Sequence, residues 1–305
     1  MSPAVTVAIG HRTRARLVLA AVALGLLVAC QEHMAEPWLV DKLRIIGVRA
    51  GDPEMTVSLA GGPRTLPAFS PGATTLTALV ADPKGGGRSV NLVWSVCTLQ
   101  GIGEDATDFN CDGDNGLPLA GNVFNPAVLI GALYQKGITF DLALTEGYGA
   151  SLESGVPVYV WLRVYAGSET TVALKRIVIS SRADRNRNPR LTGVLVDGTD
   201  ITTAGEVSFR AARDYTVKPM WDAASLDKYY DEVDGVTKTE EPFFSWFSTE
   251  GEWRDVYTHQ DAPENRWRAP ALTDSTPRPV AMWFVMHDQR GGVDWYALRS
   301  AMIVP

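Results

Sequence analysis

Apolar and polar residues alternate along most of this chain with a period of two, and over residues 41–181 no stretch keeps a helical period over three turns. Residues 41–49 read as a strand, after which Gly51-Asp52-Pro53 turns the chain. In 74–82, Thr75, Thr77 and Leu79 alternate with Leu76, Ala78 and Val80. The turn Asp82-Pro83-Lys84-Gly85-Gly86-Gly87 then hands over to 89–97, so the two segments read as a hairpin-like pair with Trp94 as a core candidate. Residues 156–165 and 171–180 alternate cleanly around the turn 166–169. Residues 127–133 read as a short helix.

A polar break at 180–191 carries Asp184, Asn186 and Asn188 at alternate positions and ends in Pro189. Beyond it the pattern starts again, with strands at 191–197, 206–210, 215–220, 243–248, 280–287 and 293–304. Residues 223–233 read as a wall-forming loop or one helical turn, and 259–272 as a long excursion. Residues 280–287 are apolar on both faces, which predicts a central strand, and Asp288-Gln289-Arg290-Gly291-Gly292 reads as a tight turn. The pattern predicts an all-β protein: two immunoglobulin-like β-sandwich domains in tandem, over 41–181 and 190–305, with a joint at 182–189.

The first residues change the picture of where this protein sits. Arg12, Arg14 and Arg16 precede an apolar run too short to span a bilayer, and Leu27-Val28-Ala29-Cys30 resembles a lipobox. The expectation is a lipoprotein signal peptide at 1–29, cleavage before an acylated Cys30, and a tether at 30–40. Gln31 after the cysteine, by its resemblance to known lipoproteins, points to the outer membrane, on its periplasmic or cell-surface side. Cleavage removes three of the 28 basic residues and none of the 35 acidic ones, deepening the formal net charge from −7 to −10. That balance argues against a phosphate-backbone ligand.

Candidate chemistry is sparse. With Cys30 acylated, Cys97 and Cys111 are left to form a disulfide in an oxidising exterior, closing a loop of about 15 residues and contributing about 3 kcal/mol. Asp112 and Asp114 in a Gly-rich turn suggest calcium, but the twelve-residue helix-flanked loop is absent, so a solvated loop pinned by the disulfide is the competing reading. The same choice holds at the joint, where Asp184, Asn186 and Asn188 either hold calcium or tie down a turn by side-chain hydrogen bonds. Calcium is the sole cofactor these residues suggest. Trp253, Trp267 and Trp295 are the candidate stacking platform for a glycan, whereas Trp94, Trp161, Trp246 and Trp283 belong by alternation to cores.

No nucleophile motif, zinc motif or phosphate loop is present, and a carboxylate pair between Asp227 and Glu241 is what remains for a hydrolase. Function therefore reads as a non-catalytic structural or protein-interaction module of the envelope, with an envelope protein or a glycan as partner. The lipobox, residues 41–50, Leu76 to Leu79 leading into Trp94 to Cys97, Asn186 to Pro189, Phe244 to Phe247 and Asp288 to Trp295 together resemble a family of surface lipoproteins of myxobacteria and related deltaproteobacteria. The last hairpin also resembles that of polycystic-kidney-disease (PKD-like) modules. The resemblance implies immunoglobulin-like domains and a surface location, and carries over no catalytic residues.

Overall fold

The computed structural model of the chain describes residues 36–58, 68–97, 109, 111, 113–135, 152–231 and 234–305. The expected signal peptide, Cys30, most of the tether, Asp112 and the side chain of Asp114 lie outside the described residues. Strands are the dominant regular element of the described residues, as the period of two predicts.

The first group of strands runs β1 (Arg44–Ala50), β2 (Glu54–Ser58), β3 (Ala68–Ser70), β4 (Thr74–Ala81), β5 (Asn91–Cys97), β6 (Gly116–Pro118) and β7 (Val123–Phe124), then α1 (Pro126–Gln135), β8 (Val156–Ala166) and β9 (Glu169–Ser180). They form a three-stranded sheet of order β1-β4-β7 and a six-stranded sheet of order β3-β2-β9-β8-β5-β6. The helix starts where Asn125 caps it, its Oδ1 accepting from the amides of Ala127 at 2.9 Å and Val128 at 3.3 Å, with Pro126 at the first position. Between the sheets lie Leu76, Trp94, Phe124, Leu162, Val164 and Ile177, all buried.

One expected pairing is corrected. β4 bonds to β1 and β7, while β5 bonds to β8 and β6, so 74–82 and 89–97 lie in different sheets and are no hairpin. Arg88 fixes the crossing, gripping Asp82 at 2.7 and 2.9 Å and Glu169 at 2.7 Å. The Asp82 carboxylate leaves no room for a side chain at Gly85, where a Cβ would sit 1.9 Å from Oδ2.

The second group runs β10 (Leu191–Val196), β11 (Thr199–Asp200), β12 (Val207–Arg210), β13 (Asp214–Trp221), β14 (Lys228–Asp231), β15 (Val236–Thr239), β16 (Phe243–Ser248), β17 (Glu252–Trp253), β18 (Tyr257–His259), β19 (Asn265–Arg268), β20 (Arg278–His287) and β21 (Val293–Val304). Sheet β11-β10-β13-β19-β17 faces sheet β12-β21-β20-β16-β18, and β14-β15 stand apart as a hairpin. The expected wall-forming loop is therefore a short 3-10 turn followed by that hairpin, and the expected excursion supplies the ladder strand β19.

The two groups share a device. In each, a short early strand runs parallel to the long last strand, Met55 opposite Ile179 in one and Phe209 opposite Ile303 in the other.

The second core is aromatic. Trp246, Trp253, Trp267, Phe209, Phe244 and Phe284 are fully buried in it. Burying each such side chain contributes about 1.5–3 kcal/mol. Their polar edges are satisfied: the indole Nε1 of Trp246 donates to Thr258, that of Trp253 to Ser248 and that of Trp267 to the Glu250 carbonyl.

The glycan platform is thereby corrected, because Trp253 and Trp267 are 2% and 0% exposed and lie inside the sandwich. Trp295 is half-buried on the opposite face of its sheet, with the Arg49 guanidinium 4.6 Å above its ring. No common face joins the three.

β20 shows what its unbroken apolar run means. Met282, Phe284 and Met286 point into the second core, while Trp283 and Val285 point the other way, into an apolar seam with Val40, which precedes β1, and with Ile46, Leu79 and Ala81 of the first group. The strand is central between β21 and β16, as expected, and it is also covered on both faces.

Candidate functional site: the joint and the turn that docks on it

The segment between β9 and β10 is held from both sides by its own polar residues. Arg182 donates to the carbonyls of Glu153 and Ser154, and Arg185 pairs with Asp52 at 3.2 Å, all toward the first group of strands. Arg187 grips Asp227 through its backbone amide at 2.9 Å and its guanidinium at 2.8 Å, and Arg190 pairs with Asp222, both toward the second.

The asparagines bridge the two. Asn186, 2% exposed, donates its amide to Glu54 Oε2 at 2.8 Å and its Nδ2 to Asp288 Oδ2 at 2.9 Å. Asn188 donates Nδ2 to the carbonyls of Ala50 and Gly51, and its Oδ1 accepts from the Val293 amide at 3.0 Å.

Both asparagines turn N–H donors toward their oxygen neighbours, Asp184 is exposed, and among the described residues no group of three or more His, Cys, Asp and Glu is placed to hold a metal. Asn186 and Asn188 are hydrogen-bonded ties between the two groups of strands. Cys97 and Cys111 are disulfide-bonded with their Cα atoms 4.9 Å apart.

The turn between β20 and β21 packs against the joint. Asp288 is 1% exposed, and its carboxylate accepts from the amides of Arg290, Gly291 and Gly292 as well as from Asn186. Gln289 and Gly291 have φ of 68° and 116°, so the turn is shaped by a non-glycine residue as well as by a glycine.

At its tip Arg290 reaches Glu240 Oε1 at 3.1 Å and Glu54 Oε2 at 3.3 Å, with the Tyr229 ring 4.6 Å from its guanidinium carbon. One cation thus serves two buried carboxylates that come from different groups of strands. Lys175 of β9 donates to the Gly291 carbonyl, and Arg176 donates to that of Arg290 at 3.0 Å.

Burial sets the electrostatics here. It drives the Lys175 ammonium down to about 8, with Asp288 opposing the shift and Arg176 and Arg49 adding to it. Burial raises the Glu240 carboxyl to about 7, against the hydrogen bond from the Asp227 amide and the charge of Arg290. His287, buried and facing the Lys175 charge, falls to about 4 and is neutral at pH 7.

His287 stacks on Phe243 with ring centroids 4.5 Å apart, and its Nε2 stands 3.5 Å from Ser245 Oγ. A serine beside a neutral histidine suggests nucleophilic catalysis, but among the described residues no carboxylate hydrogen-bonds to this ring, and Lys175 is the charge it faces. Asp227, half of the suggested hydrolase pair, has both oxygens engaged by Arg187.

Glu54, Lys175, Glu240 and His287 carried no signal by motif, and Arg290 was marked as part of a tight turn without a role. For Lys175 the signal is alternation: it shares its side of β9 with Ala173 and Ile177 and so faces inward.

No family model matches the chain, and no curated protein matches it. Among solved structures, it is similar to the D0–D1 domains of intimin at 11% identity, covering 86% of this chain and 99% of that one, with a TM-score of 0.22. The D00–D0 domains of intimin give 10%, 82%, 100% and 0.23, and zebrafish RET cadherin-like domains 1 to 4 give 9%, 71%, 41% and 0.16. Scores this low carry no argument, and the mostly-β architecture stands on the strand pairing itself.

Proposed function

We propose that this chain is a non-catalytic surface module of the bacterial envelope, tethered by an acylated Cys30 and presenting its loops and strand edges to an envelope partner. The observation that supports it most is the joint. Its buried polar ties and the Arg290 bridge fix two sets of sheets to each other, which is what a spacer needs and what an enzyme cleft that opens and closes does not. A disulfide fits an exported protein, and among the described residues no helix is long and apolar enough to cross a membrane.

The test has two parts. Metabolic labelling with a fatty-acid analogue is expected to mark the full chain and to fail in Cys30→Ala, which should leave the membrane fraction. Crosslinking on intact cells is expected to capture the same envelope partner reproducibly with the anchored protein and not with Cys30→Ala. An unlabelled chain, or turnover of glycan or peptide substrates by the purified protein, would count against the reading.

A further inference from the structure

A groove of about 460 Å3 opens beside the docked turn, a size within the range of small-molecule sites, roughly 300–1,000 Å3. It is lined by residues 45–48 of β1, 173–176 of β9, Phe243, His287 and the turn residues Gln289, Gly291 and Gly292, together with Val293. β1 is the edge strand of its sheet. Ile45, Ala173 and Phe243 supply an apolar lining, the lining's charges are Lys175 and Arg176, and no carboxylate is among it.

Lys175 is the unusual member. It is 5% exposed, yet among the described residues the hydrogen bond it makes is to one carbonyl, that of Gly291. An ammonium has three N–H donors, so two remain.

The acid that acts on it, Asp288, is already occupied by three backbone amides and Asn186. Of the cations nearby, Arg49 is committed to Asp294 at 2.6 Å and Arg176 donates to Arg290. His287 is neutral and adds no charge. A buried cation without its own anion is costly, and a bound carboxylate relieves that cost.

We infer that this groove binds a small monocarboxylate with an apolar tail, its carboxylate on the Lys175 ammonium and its tail along Ile45, Ala173 and Phe243. Such a ligand would touch strands from both groups and so stiffen the joint. The inference is independent of the anchored-module reading, since neither needs the other.

Octanoate is the probe, titrated into the full chain by calorimetry beside octanol and octylamine. Octanoate is expected to bind at least tenfold more tightly than either control, and Lys175→Met is expected to weaken it at least tenfold without loss of the folded spectrum. No octanoate binding, equal binding of octanol, or undiminished binding to a folded Lys175→Met would overturn the proposal. Should that variant not fold, the ranking of the three probes on the unaltered chain decides alone.

Discussion

Each group of strands ends in a long hairpin, and the two turns have opposite fates. Gly167 and Ser168, between β8 and β9, are exposed and close the hairpin in two residues, Ala166 pairing with Glu169. The turn 288–292, between β20 and β21, is tied to the joint and to β9 by Asp288, Arg290 and the carbonyls that receive Lys175 and Arg176. A hairpin turn is thus a mere connection or a structural keystone according to what it meets, and its own sequence does not say which.

The largest effect should come from Arg290. Arg290→Met leaves Glu54 and Glu240 buried without their cation, and breaking such a bridge costs about 3–5 kcal/mol. Urea unfolding at pH 8 measures it. Adding Glu54→Gln and Glu240→Gln should recover much of the loss. A single-variant cost below about 1 kcal/mol would place the keystone elsewhere.

Lys175 gives a test by pH. Its folded value of about 8 lies below its ordinary 10.5, so the folded protein releases this proton first. Its contribution to stability should rise as pH climbs from 8 to 10.5, by about 3 kcal/mol at 1.36 kcal/mol per pH unit. Below 8 the buried charge is a full cost. The difference in unfolding free energy between Lys175→Met and the parent should therefore shrink across that window, and a constant difference would mean the ammonium is well solvated.

Glu240 works in the other direction. Its folded carboxyl, at about 7, keeps a proton that the unfolded chain loses near 4.5, so its contribution falls by about 3 kcal/mol as pH rises through 4.5–7. His287, depressed to about 4, contributes stability that is present above 6.5 and lost on acidification. Between 4.5 and 6.5 the two slopes oppose each other. Glu240→Gln should uncover the histidine's slope, so that the variant loses more stability than the parent between pH 6.5 and 4.5.

These residues mark how far the sequence is legible. Alternation places the long strands, and the double-faced apolar run of β20 announces a centrally placed strand. It does not announce the seam that Trp283 and Val285 make with Ile46 and Leu79, because burial on an outer face depends on a partner distant in the chain.

Trp253 and Trp267 fail as a platform for a related reason. They sit in strands of two and four residues, too short for a period to reveal which way they point. At the joint, polarity was readable but not burial: Asn186 and Asp288 look like solvated turn residues until the two groups of strands close over them.

The smallest effect separates the two turns at their glycines. Gly167 has φ of 60°, in the left-handed region that other residues enter at a cost of about 1 kcal/mol, and nothing but the end of the Arg88 side chain comes near its missing Cβ. Gly291 has φ of 116°, outside that region, and its carbonyl receives Lys175. Gly167→Ala should cost about 1 kcal/mol and leave the pH profile of stability unchanged. Gly291→Ala should cost more and also flatten the rise between pH 8 and 10.5, since moving this carbonyl lets water reach the ammonium. If both substitutions cost the same and neither alters the profile, the docked turn holds Lys175 no more firmly than the free turn holds anything.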